Sequence, residues 1–309
     1  MVVFVGLVFV AQWASLKYLG VCVASPTAVL GGAAPILVYE GVSNRLDDYQ
    51  IFGTHNSYHI KSFVAIDSSW RYTQLPVIDQ LEMGMRSLEF DVHYGRGCGC
   101  WSVYHIGVLD SSTTEQCLFS ALFRLVAWSA KNPSHFPIYV MLEPKYKWDF
   151  FGACDDGAIQ TLQECIAAAV PRNMLIAPAD VRGNYSTVAE AIAGRGLPTV
   201  DSARGKILFV LDLWDENMEC AGSYAALAEA DRLLFMMTGV SVFSQPAVCE
   251  IARTRTELRR KYATTKEAPV TGACDINILS VDAMKQLPKN LTMARCRVGA
   301  TANCSSVSV

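Results

Sequence analysis

Polar residues suited to phosphate and metal chemistry stand at the ends of several apolar, strand-like segments. The first segment, Tyr49–Thr54, is followed at once by a proton-transfer group and an amide oxygen, His55 and Asn56. Three later segments end in matching chemistry, with Glu89, Asp91, His105 and Glu143. Because the carboxyl ends of parallel barrel strands open into one mouth, we expect these side chains to converge. The sequence therefore predicts one site assembled from four segments.

The three carboxylates of this set indicate a cation. Glu89 and Asp91 lie two residues apart, so both point to the same face of their strand. Three carboxylates in one mouth would repel one another and could not all stay ionised without a positive charge. With the Asn56 amide they form an all-oxygen ligand set, which favours Ca²⁺ over Mg²⁺. In the alternative interpretation, Lys145 and Arg86 neutralise the carboxylates without a metal.

The histidines supply the second half of the predicted chemistry. His55 and His105 would flank the ion as a base and an acid for cleaving a phosphodiester. A single strand-end histidine is more often structural, but two beside an acidic cluster favour catalysis. His93 shares the strand face of the two carboxylates before it and could also reach the mouth. His59 and His135 fall in predicted loops.

The elements that must hold these residues alternate between strand-like and helix-like segments. The predicted strands are Tyr49–Thr54, Ser87–His93, Val103–Ile106, Ile138–Glu143, Met174–Ala177, Lys206–Leu213, Cys249–Arg253 and Ile276–Val281. The predicted helices are Pro76–Met83, Cys117–Ser129, Ala158–Ala169, Val188–Ala193, Ser223–Thr238 and Arg255–Tyr262. This order favours an α/β fold, a (β/α)8 TIM-type barrel that is irregular around strands 2 and 3, where the link is too short for a helix. A doubly wound open sheet is disfavoured, because no Gly-rich phosphate fingerprint follows the first strand.

Composition excludes some classes of function. The chain has 309 residues, 51% of them hydrophobic, which is enough to bury one barrel-sized core. The net charge is −3, and the longest basic run is Arg259-Arg260-Lys261. A nucleic-acid partner is therefore not expected. We find no pattern that indicates an obligate protein partner.

The N-terminal segment predicts export. Residues from Val2 to Leu16 are almost all apolar, Lys17 interrupts them, and Cys22-Val23-Ala24 is a small-residue cleavage pattern. We therefore interpret residues 1–24 as a signal peptide, residues 25–290 as the barrel and residues 291–309 as a polar tail. Because a positive charge before the apolar run is missing, an uncleaved membrane anchor remains the alternative.

Cysteines and glycosylation motifs point to the same compartment. Removal of Cys22 with the signal leaves an even number of the 11 cysteines, and they are too scattered for a zinc cluster. Three Asn-X-Ser/Thr motifs begin at Asn184, Asn290 and Asn303. Together these features predict a secreted, disulfide-bonded glycoprotein.

Four short motifs, in this order, resemble a known family. Thr54-His-Asn-Ser57, Leu88-Glu-Phe-Asp91, Tyr104-His105 and Leu142-Glu143 resemble the catalytic X region of phosphatidylinositol-specific phospholipase C, in its Ca²⁺-dependent single-domain form. The resemblance is good from about Asp47 to Glu143 and looser through the later strands. Each motif alone is unspecific, and the ordered set is specific.

The resemblance implies a role for each matching residue. The implied calcium ligands are Asn56, Glu89, Asp91 and Glu143. His55 matches the first catalytic histidine, and His105 matches the one that protonates the departing diacylglycerol oxygen. Residues near the head group would be Lys145, Arg253 and Arg255. Whether His55 or a calcium-bound carboxylate is the base stays open.

The implied reaction is cleavage of phosphatidylinositol, or of a related inositol phospholipid at a membrane surface, to diacylglycerol and a cyclic inositol phosphate. The aromatics of Tyr146–Phe151 could seat the enzyme on a bilayer or could pack on the barrel. The alternatives are a glycerophosphodiester phosphodiesterase or lipase-D-like barrel, and a catalytically inactive secreted head-group-binding protein. The former enzymes favour arginine where Asn56 stands, and the latter would lack one of the mouth residues.

Overall fold

The computed structural model of the chain describes residues 45–46, 49–63, 65–94, 101–145, 158–213, 222–238, 248–251, 258–263, 278–281, 292–295 and 305–308. The predicted signal segment, Arg253, Arg255 and the aromatic stretch Tyr146–Phe151 lie outside the described residues, so those predictions stay untested. Among the described residues, every helix is too short or too polar to cross a bilayer.

Strands of a mostly parallel barrel carry the fold. The strands are β1 (Tyr49–Thr54), β2 (Ser87–Tyr94), β3 (Trp101–Val103), β4 (Ile138–Pro144), β5 (Leu175–Ile176), β6 (Ile207–Leu213), β7 (Phe235–Thr238), β8 (Val248–Ile251), β9 (Leu258–Ala263), β10 (Ile278–Val281), β11 (Thr292–Arg295) and β12 (Ser305–Ser308). The order around the sheet is β7, β6, β4, β2, β1, β10, β9 and β8. Strand β7 contacts β8, which brings the two ends of the sheet together. The hydrogen-bonded neighbours in this order are parallel except β8 and β9, so the predicted α/β TIM-type barrel is confirmed.

The predicted irregularity lies where expected, but the predicted third strand is wrong. Strand β3 is not a barrel strand; it ends at Val103 and runs antiparallel to the end of β2, with Tyr94 opposite Trp101. A parallel return needs a crossover of a dozen or more residues, and the link here is too short for one. His105 therefore follows a hairpin, not the carboxyl end of a parallel strand.

Helices lie between the strands, and two predicted helices are wrong. The α-helices are α1 (Val77–Glu82), α2 (Leu118–Lys131), α3 (Ala158–Ala169), α4 (Pro178–Arg182), α5 (Val188–Arg195), α6 (Val200–Ala203) and α7 (Gly222–Ala226). The predicted helix Ser223–Thr238 stops after one turn and continues into β7, and much of the predicted helix Arg255–Tyr262 is β9. Short apolar runs do not distinguish a buried strand from a helix, which is why periodicity failed there.

Along the central strands, successive side chains point alternately to two opposite faces of the sheet. In β2, Leu88, Phe90 and Val92 pack in one cluster with residues of α1, α2 and α3. The corresponding residues of β4 and β6 behave in the same way. Residues in between, such as Met141 and Val210, belong to a second cluster on the opposite face, which we call the inner face. By the same alternation Glu89 and Asp91 lie on the inner face.

Two short strands lie in the segment 291–309, which the sequence analysis described as a polar tail. Strand β11 pairs with the start of β1, where Tyr49 lies opposite Arg295, and β12 pairs with β11. These two antiparallel strands therefore extend from the start of β1. Cys117 and Cys165 are each disulfide-bonded.

Gly53 sets the approach of the first two barrel strands. It lies opposite Ser87, and a Cβ atom at this position would meet the Ser87 Cβ at 2.5 Å and the Ser87 carbonyl oxygen at 2.6 Å. We expect Gly53→Ala to lower the free energy of unfolding by about 1–3 kcal/mol, since overpacking forces the strands apart. The measurement is urea unfolding. The control is Gly194→Ala, where the added methyl meets only the Tyr185 side chain, which can move; equal losses would contradict the strand-contact explanation.

Candidate active site

Three buried carboxylates converge on the inner face of the barrel. Asp91 lies opposite Glu143 in the parallel pairing of β2 with β4, and Glu89 lies one inner-face position earlier on β2. All three are buried. One carboxylate oxygen from each lies within 4.8 Å of the other two. The structure thus brings together the three carboxylates that the sequence proposed as ligands.

Asn56 is held beside this group by a tight turn after β1. Its backbone adopts a φ of 44°, which asparagine tolerates better than most residues. Its Oδ1 accepts a hydrogen bond from the Tyr58 hydroxyl at 3.1 Å. Burial, and next the negative charge of Asp91, raise the pKa of Tyr58 well above its usual value, so the hydroxyl keeps its proton. Tyr58 therefore connects the amide oxygen to the acidic group.

Ser57 fastens the same turn directly to the acidic strand. Its backbone N–H donates to the Glu89 carbonyl at 3.0 Å, and its hydroxyl accepts the Glu89 N–H at 2.8 Å. The hydroxyl also lies 2.7 Å from Thr54 Oγ1. The Gln80 amide donates to the Ser57 carbonyl at 2.6 Å. These bonds fix the position of His55 and Asn56 relative to Glu89.

Lys145 lies inside the carboxylate group. Its ammonium contacts Oε1 of Glu143 and lies 3.2 Å from Oδ2 of Asp91. Burial alone would lower the pKa of Lys145, but the charges of Asp91 and Glu143 outweigh burial and raise it. Burial raises the pKa of Glu143, Asp91 and Glu89 act in the same direction, and Lys145 opposes them. Lys145 thus acts here as an ion-pair partner, whereas the family resemblance implied a head-group contact.

Arg86 takes no part in neutralising the carboxylates. It donates Nη1 to the carbonyl oxygens of Leu81 and Met85 at 2.9 and 2.8 Å. Its guanidinium also lies over the Trp128 ring, 5.3 Å from the centroid. Of the two cations in the metal-free alternative, only Lys145 reaches the acidic group.

The donors therefore fit Ca²⁺. The ligand atoms are all oxygens, as a hard cation prefers. Oδ1 of Asp91 is buried, and among the described residues it has no hydrogen-bond partner. A buried carboxylate oxygen without a donor is costly unless a cation meets it.

His55 stands at the opening of the carboxylate group. Its Nε2 lies 3.7 Å from Oε1 of Glu89, and its side chain is 32% exposed. The Gln74 side chain donates to the His55 carbonyl at 2.9 Å and fixes the backbone there. The imidazole can thus meet a substrate from solvent while it remains next to a carboxylate that stabilises its protonated form.

His105 is oriented by a carboxylate five residues further along the chain. Its Nδ1 lies 2.8 Å from Oδ2 of Asp110, and its side chain is 17% exposed. An ionised carboxylate only accepts hydrogen bonds, so Nδ1 carries the hydrogen and Nε2 is left for proton transfer. The Trp70 ring meets the His105 ring edge-on with centroids 5.6 Å apart.

His93 shares the strand face of Glu89 and Asp91, and it contacts Tyr104. Its Nε2 lies 2.7 Å from the Tyr104 carbonyl oxygen, and its ring stacks on the Tyr104 ring with centroids 3.6 Å apart. It therefore supports the segment that carries His105.

Sequence reasoning missed three buried residues near this chemistry. Asp212 follows Leu211, which pairs with Leu142, so it lies on the inner face at the level of Glu143. A polar residue ending an apolar strand was the available signal for Asp212, as it was for Glu143. Asp110 and His59 are also fully buried. His59 was assigned to a loop and Asp110 was not singled out, and nothing in the sequence pattern indicates that they meet His105.

The family model described as "Phosphoinositide phospholipase C, Ca2+-dependent" matches residues 98–241. The predicted family resemblance is confirmed. Phospholipases C are phosphodiesterases, so the predicted enzyme class is that of the matched family. The matched range covers just under half of the chain and includes His105, Glu143 and Lys145.

Solved phospholipase C structures are similar to the chain. One is a Ca²⁺-dependent phosphatidylinositol-specific phospholipase C from Streptomyces antibioticus, with 22% identity, a TM-score of 0.47, and coverage of 62% of this chain and 66% of that chain. Another is a calcium-dependent phosphoinositol-specific phospholipase C from Pseudomonas sp, with 21% identity, a TM-score of 0.47, and coverage of 65% and 68%. The Staphylococcus aureus phosphatidylinositol-specific enzyme shows 15% identity, a TM-score of 0.43, and coverage of 74% and 64%. The chain thus spans about two thirds of the length of these phospholipases C. The comparison with curated proteins finds no match.

Proposed function

We propose that this protein is a secreted, Ca²⁺-dependent phosphodiesterase that cleaves phosphatidylinositol, or a related inositol phospholipid, to diacylglycerol and a cyclic inositol phosphate. The observation that carries the proposal is the set of three buried carboxylates with His55 beside Glu89, together with a second histidine, His105, held by Asp110. An all-carboxylate group suits a cation that meets a phosphate, and the histidines suit proton transfer on either side of it.

The proposed site has four calcium ligands and two proton-transfer residues. Glu89, Asp91, Glu143 and the Asn56 amide would hold the ion. When bound, Ca²⁺ would neutralise the charge that develops on the phosphoryl oxygens and lower the pKa of the attacking hydroxyl. Lys145 balances part of the carboxylate charge and keeps Asp91 and Glu143 in place.

Proton transfer is assigned to the histidines. His55 takes the proton from the inositol 2-hydroxyl as that oxygen bonds to phosphorus, and the adjacent Glu89 stabilises the imidazolium that forms. The bond from phosphorus to the diacylglycerol oxygen breaks, and His105 gives that oxygen the proton on its Nε2. Asp110 holds His105 in the tautomer that this donation requires.

Exposed apolar side chains support a lipid surface as the location of the substrate. Val108 and Leu109 lie in the turn between His105 and Asp110, and both are exposed. Phe63 and Ile66 are also exposed, and they follow Ser62, which bonds to Asp110. Large apolar side chains grouped around an opening mark sites that bind lipid or protein.

Three features support the secreted location that is part of the proposal. Cys117 and Cys165 are disulfide-bonded, which is typical of exported proteins. Asn184 begins a glycosylation motif and is exposed. The segment 1–24 has the composition of a signal peptide.

The test is an assay of the purified secreted chain on vesicles that contain phosphatidylinositol. We expect diacylglycerol and a cyclic inositol phosphate to appear with Ca²⁺ and to stop when a chelator is added, because the carboxylates then lose the ion that neutralises the phosphate. Phosphorus-31 NMR distinguishes the cyclic product from a phosphomonoester. Glycerophosphoinositol is the comparison substrate: its cleavage in preference to the lipid, or activity that persists with chelator, would contradict the proposal.

A further inference from the structure

A second set of side chains able to bind a metal lies behind His105. His59, His105 and Asp110, which we call the His-His-Asp cluster, each place one ligand atom within 4.8 Å of the other two. Oδ2 of Asp110 lies 2.8 Å from Nε2 of His59 and 2.8 Å from Nδ1 of His105. His59 and Asp110 are fully buried, whereas the His105 side chain is 17% exposed. The His105 ring is therefore the corner of the cluster that is open to solvent.

The donor atoms of this cluster differ from those of the carboxylate group. Two imidazole nitrogens and one carboxylate oxygen suit transition ions such as Zn²⁺. Ca²⁺ takes oxygen ligands, and the group formed by Glu89, Asp91 and Glu143 offers only those. Three protein ligands on zinc leave a fourth tetrahedral position for water. The two sets of residues would thus select different ions.

The spacing within the His-His-Asp cluster is close to what zinc requires. Zinc binds nitrogen and oxygen at about 2.0–2.2 Å, which places tetrahedral ligand atoms roughly 3.3–3.6 Å apart. The two nitrogen–oxygen separations to Asp110 are both 2.8 Å. An outward shift of the Asp110 carboxylate by roughly half an ångström would bring both into the zinc range. The cluster can therefore accept the ion without a change of fold.

The residues around the cluster orient it as the outer shell of a metal site does. A metal-bound histidine usually donates its other ring N–H to a carbonyl or carboxylate oxygen, and a metal-bound carboxylate is itself hydrogen-bonded. Nδ1 of His59 lies 3.0 Å from the Tyr72 carbonyl oxygen, which only accepts, so Nδ1 carries a hydrogen. Ser62 donates its hydroxyl to Oδ1 of Asp110 at 2.8 Å. Both kinds of outer-shell contact are thus present.

The contact between His59 and Asp110 requires a positive centre. With the ring hydrogen on Nδ1, the lone pair on Nε2 faces a carboxylate oxygen, and both are acceptors. One proton between them satisfies the contact when no ion is bound, and a metal ion can replace that proton. His135 differs, because its Nε2 lies 2.7 Å from the Ser129 hydroxyl, which can donate. Of these two fully buried histidines, His59 is the one whose surroundings suit a cation.

We propose that the His-His-Asp cluster is an inhibitory binding site for Zn²⁺. Zinc binding itself is independent of the proposed function, and the inhibition rests on the proposed role of His105 as the acid. Metal ligands must be deprotonated, so zinc on Nδ1 takes the place of the hydrogen there. A His105 ring that holds zinc cannot also be the doubly protonated imidazolium, which is its acid form. Zinc on this cluster would therefore prevent protonation of the departing oxygen.

The direct test is isothermal titration calorimetry of the purified protein with Zn²⁺ in excess Ca²⁺. We expect one Zn²⁺ to bind per chain. His59→Gln should weaken binding by more than about 100-fold and Ser62→Ala by about 10-fold, since an outer-shell partner typically contributes about 10–100-fold. The matched control is His135→Gln, which changes a fully buried histidine outside the cluster and should keep the wild-type affinity. Equal zinc affinity of the wild type and His59→Gln would overturn the proposal.

Crystals of the wild-type protein grown with Zn²⁺ locate the ion even if His59→Gln does not fold. We expect an anomalous scattering peak at the zinc absorption edge, about 2.0–2.2 Å from Nε2 of His59, Nδ1 of His105 and the Asp110 carboxylate. A peak at the carboxylate group instead, or no peak at the cluster, would overturn the proposal.

Kinetics on phosphatidylinositol vesicles test the inhibition. In excess Ca²⁺, Zn²⁺ should inhibit the wild type, and further Ca²⁺ should not relieve the inhibition, because a site with nitrogen ligands does not suit Ca²⁺. Relative to its own zinc-free rate, His59→Gln should need at least about 100-fold more Zn²⁺. Inhibition that Ca²⁺ relieves, or that is equal in the two proteins, would contradict the proposal. A protein that is inactive without zinc would contradict the proposed function and leave the zinc-binding result unchanged.

Discussion

A His105→Ala variant is expected to lose about 10²–10⁴-fold in kcat/KM on phosphatidylinositol, which is the usual contribution of a general acid. The diacylglycerol oxygen is a poor leaving group and needs a proton as the bond to phosphorus breaks. His105 is oriented to supply it, because Asp110 occupies Nδ1 and leaves Nε2 for the transfer. The measurement is steady-state kinetics on vesicles, with thermal unfolding to confirm that the variant folds.

A substrate with an activated leaving group separates this role from others. With inositol phosphate esterified to a nitrophenol, which leaves without a proton, His105→Ala should recover most of the lost rate. His55→Ala should remain impaired on both substrates, since the attacking hydroxyl is the same. Equal losses of both variants on both substrates would contradict the division of labour between the two histidines.

An Asp91→Asn variant is expected to lose the stabilisation that Ca²⁺ gives the wild-type protein. Asp91 lies between its neighbours in the group, opposite Glu143 and 3.2 Å from the Lys145 ammonium. Ca²⁺ at 100 times its dissociation constant should stabilise the wild type by about 2.7 kcal/mol. In a chain of this size that corresponds to a rise in Tm of roughly 4 °C. The variant should show little of this rise, and its calcium-dependent activity should fall with it.

The same variant should behave differently without metal. The substitution removes one of three neighbouring buried carboxylates, so repulsion falls and the metal-free variant should be no less stable than the metal-free wild type. Asp201→Asn is the matched control, because Asp201 is exposed and pairs only with Arg204 at 3.1 Å among the contacts seen here. It should keep the full calcium response. A wild-type protein whose Tm does not respond to Ca²⁺ would leave Lys145 as the counter-charge and remove the metal from the mechanism.

The central strands and their faces were predictable from the sequence. β1 begins and ends at the predicted residues, and β2, β4 and β6 agree with the prediction to within one residue at each end. Their apolar residues form continuous runs bounded by turn signals, and alternation alone places Glu89 and Asp91 on one face. The convergence of the three carboxylates followed from that alternation and from parallel pairing.

Other parts of the site could not be predicted, because they depend on contacts distant in sequence. The antiparallel course of β3 follows from a link too short for a crossover. The predicted strand nevertheless ended three residues after the observed end of β3. Asp110 meets His105 only through the turn between them, and His59 reaches Asp110 from 51 residues away. No local pattern reports any of these contacts.

Ser57 links the turn that carries His55 and Asn56 to the strand that carries the carboxylates. The residue that follows the His55-Asn56 pair is bonded in both directions to the backbone of Glu89, and Gln80 supports it. These hydrogen bonds therefore keep His55 and Glu89 at a fixed spacing if β1 moves. An engineer who transplanted only the histidines and ligands into another barrel would copy the chemical groups and lose their spacing. A transplanted site would therefore also need Ser57 and Gln80.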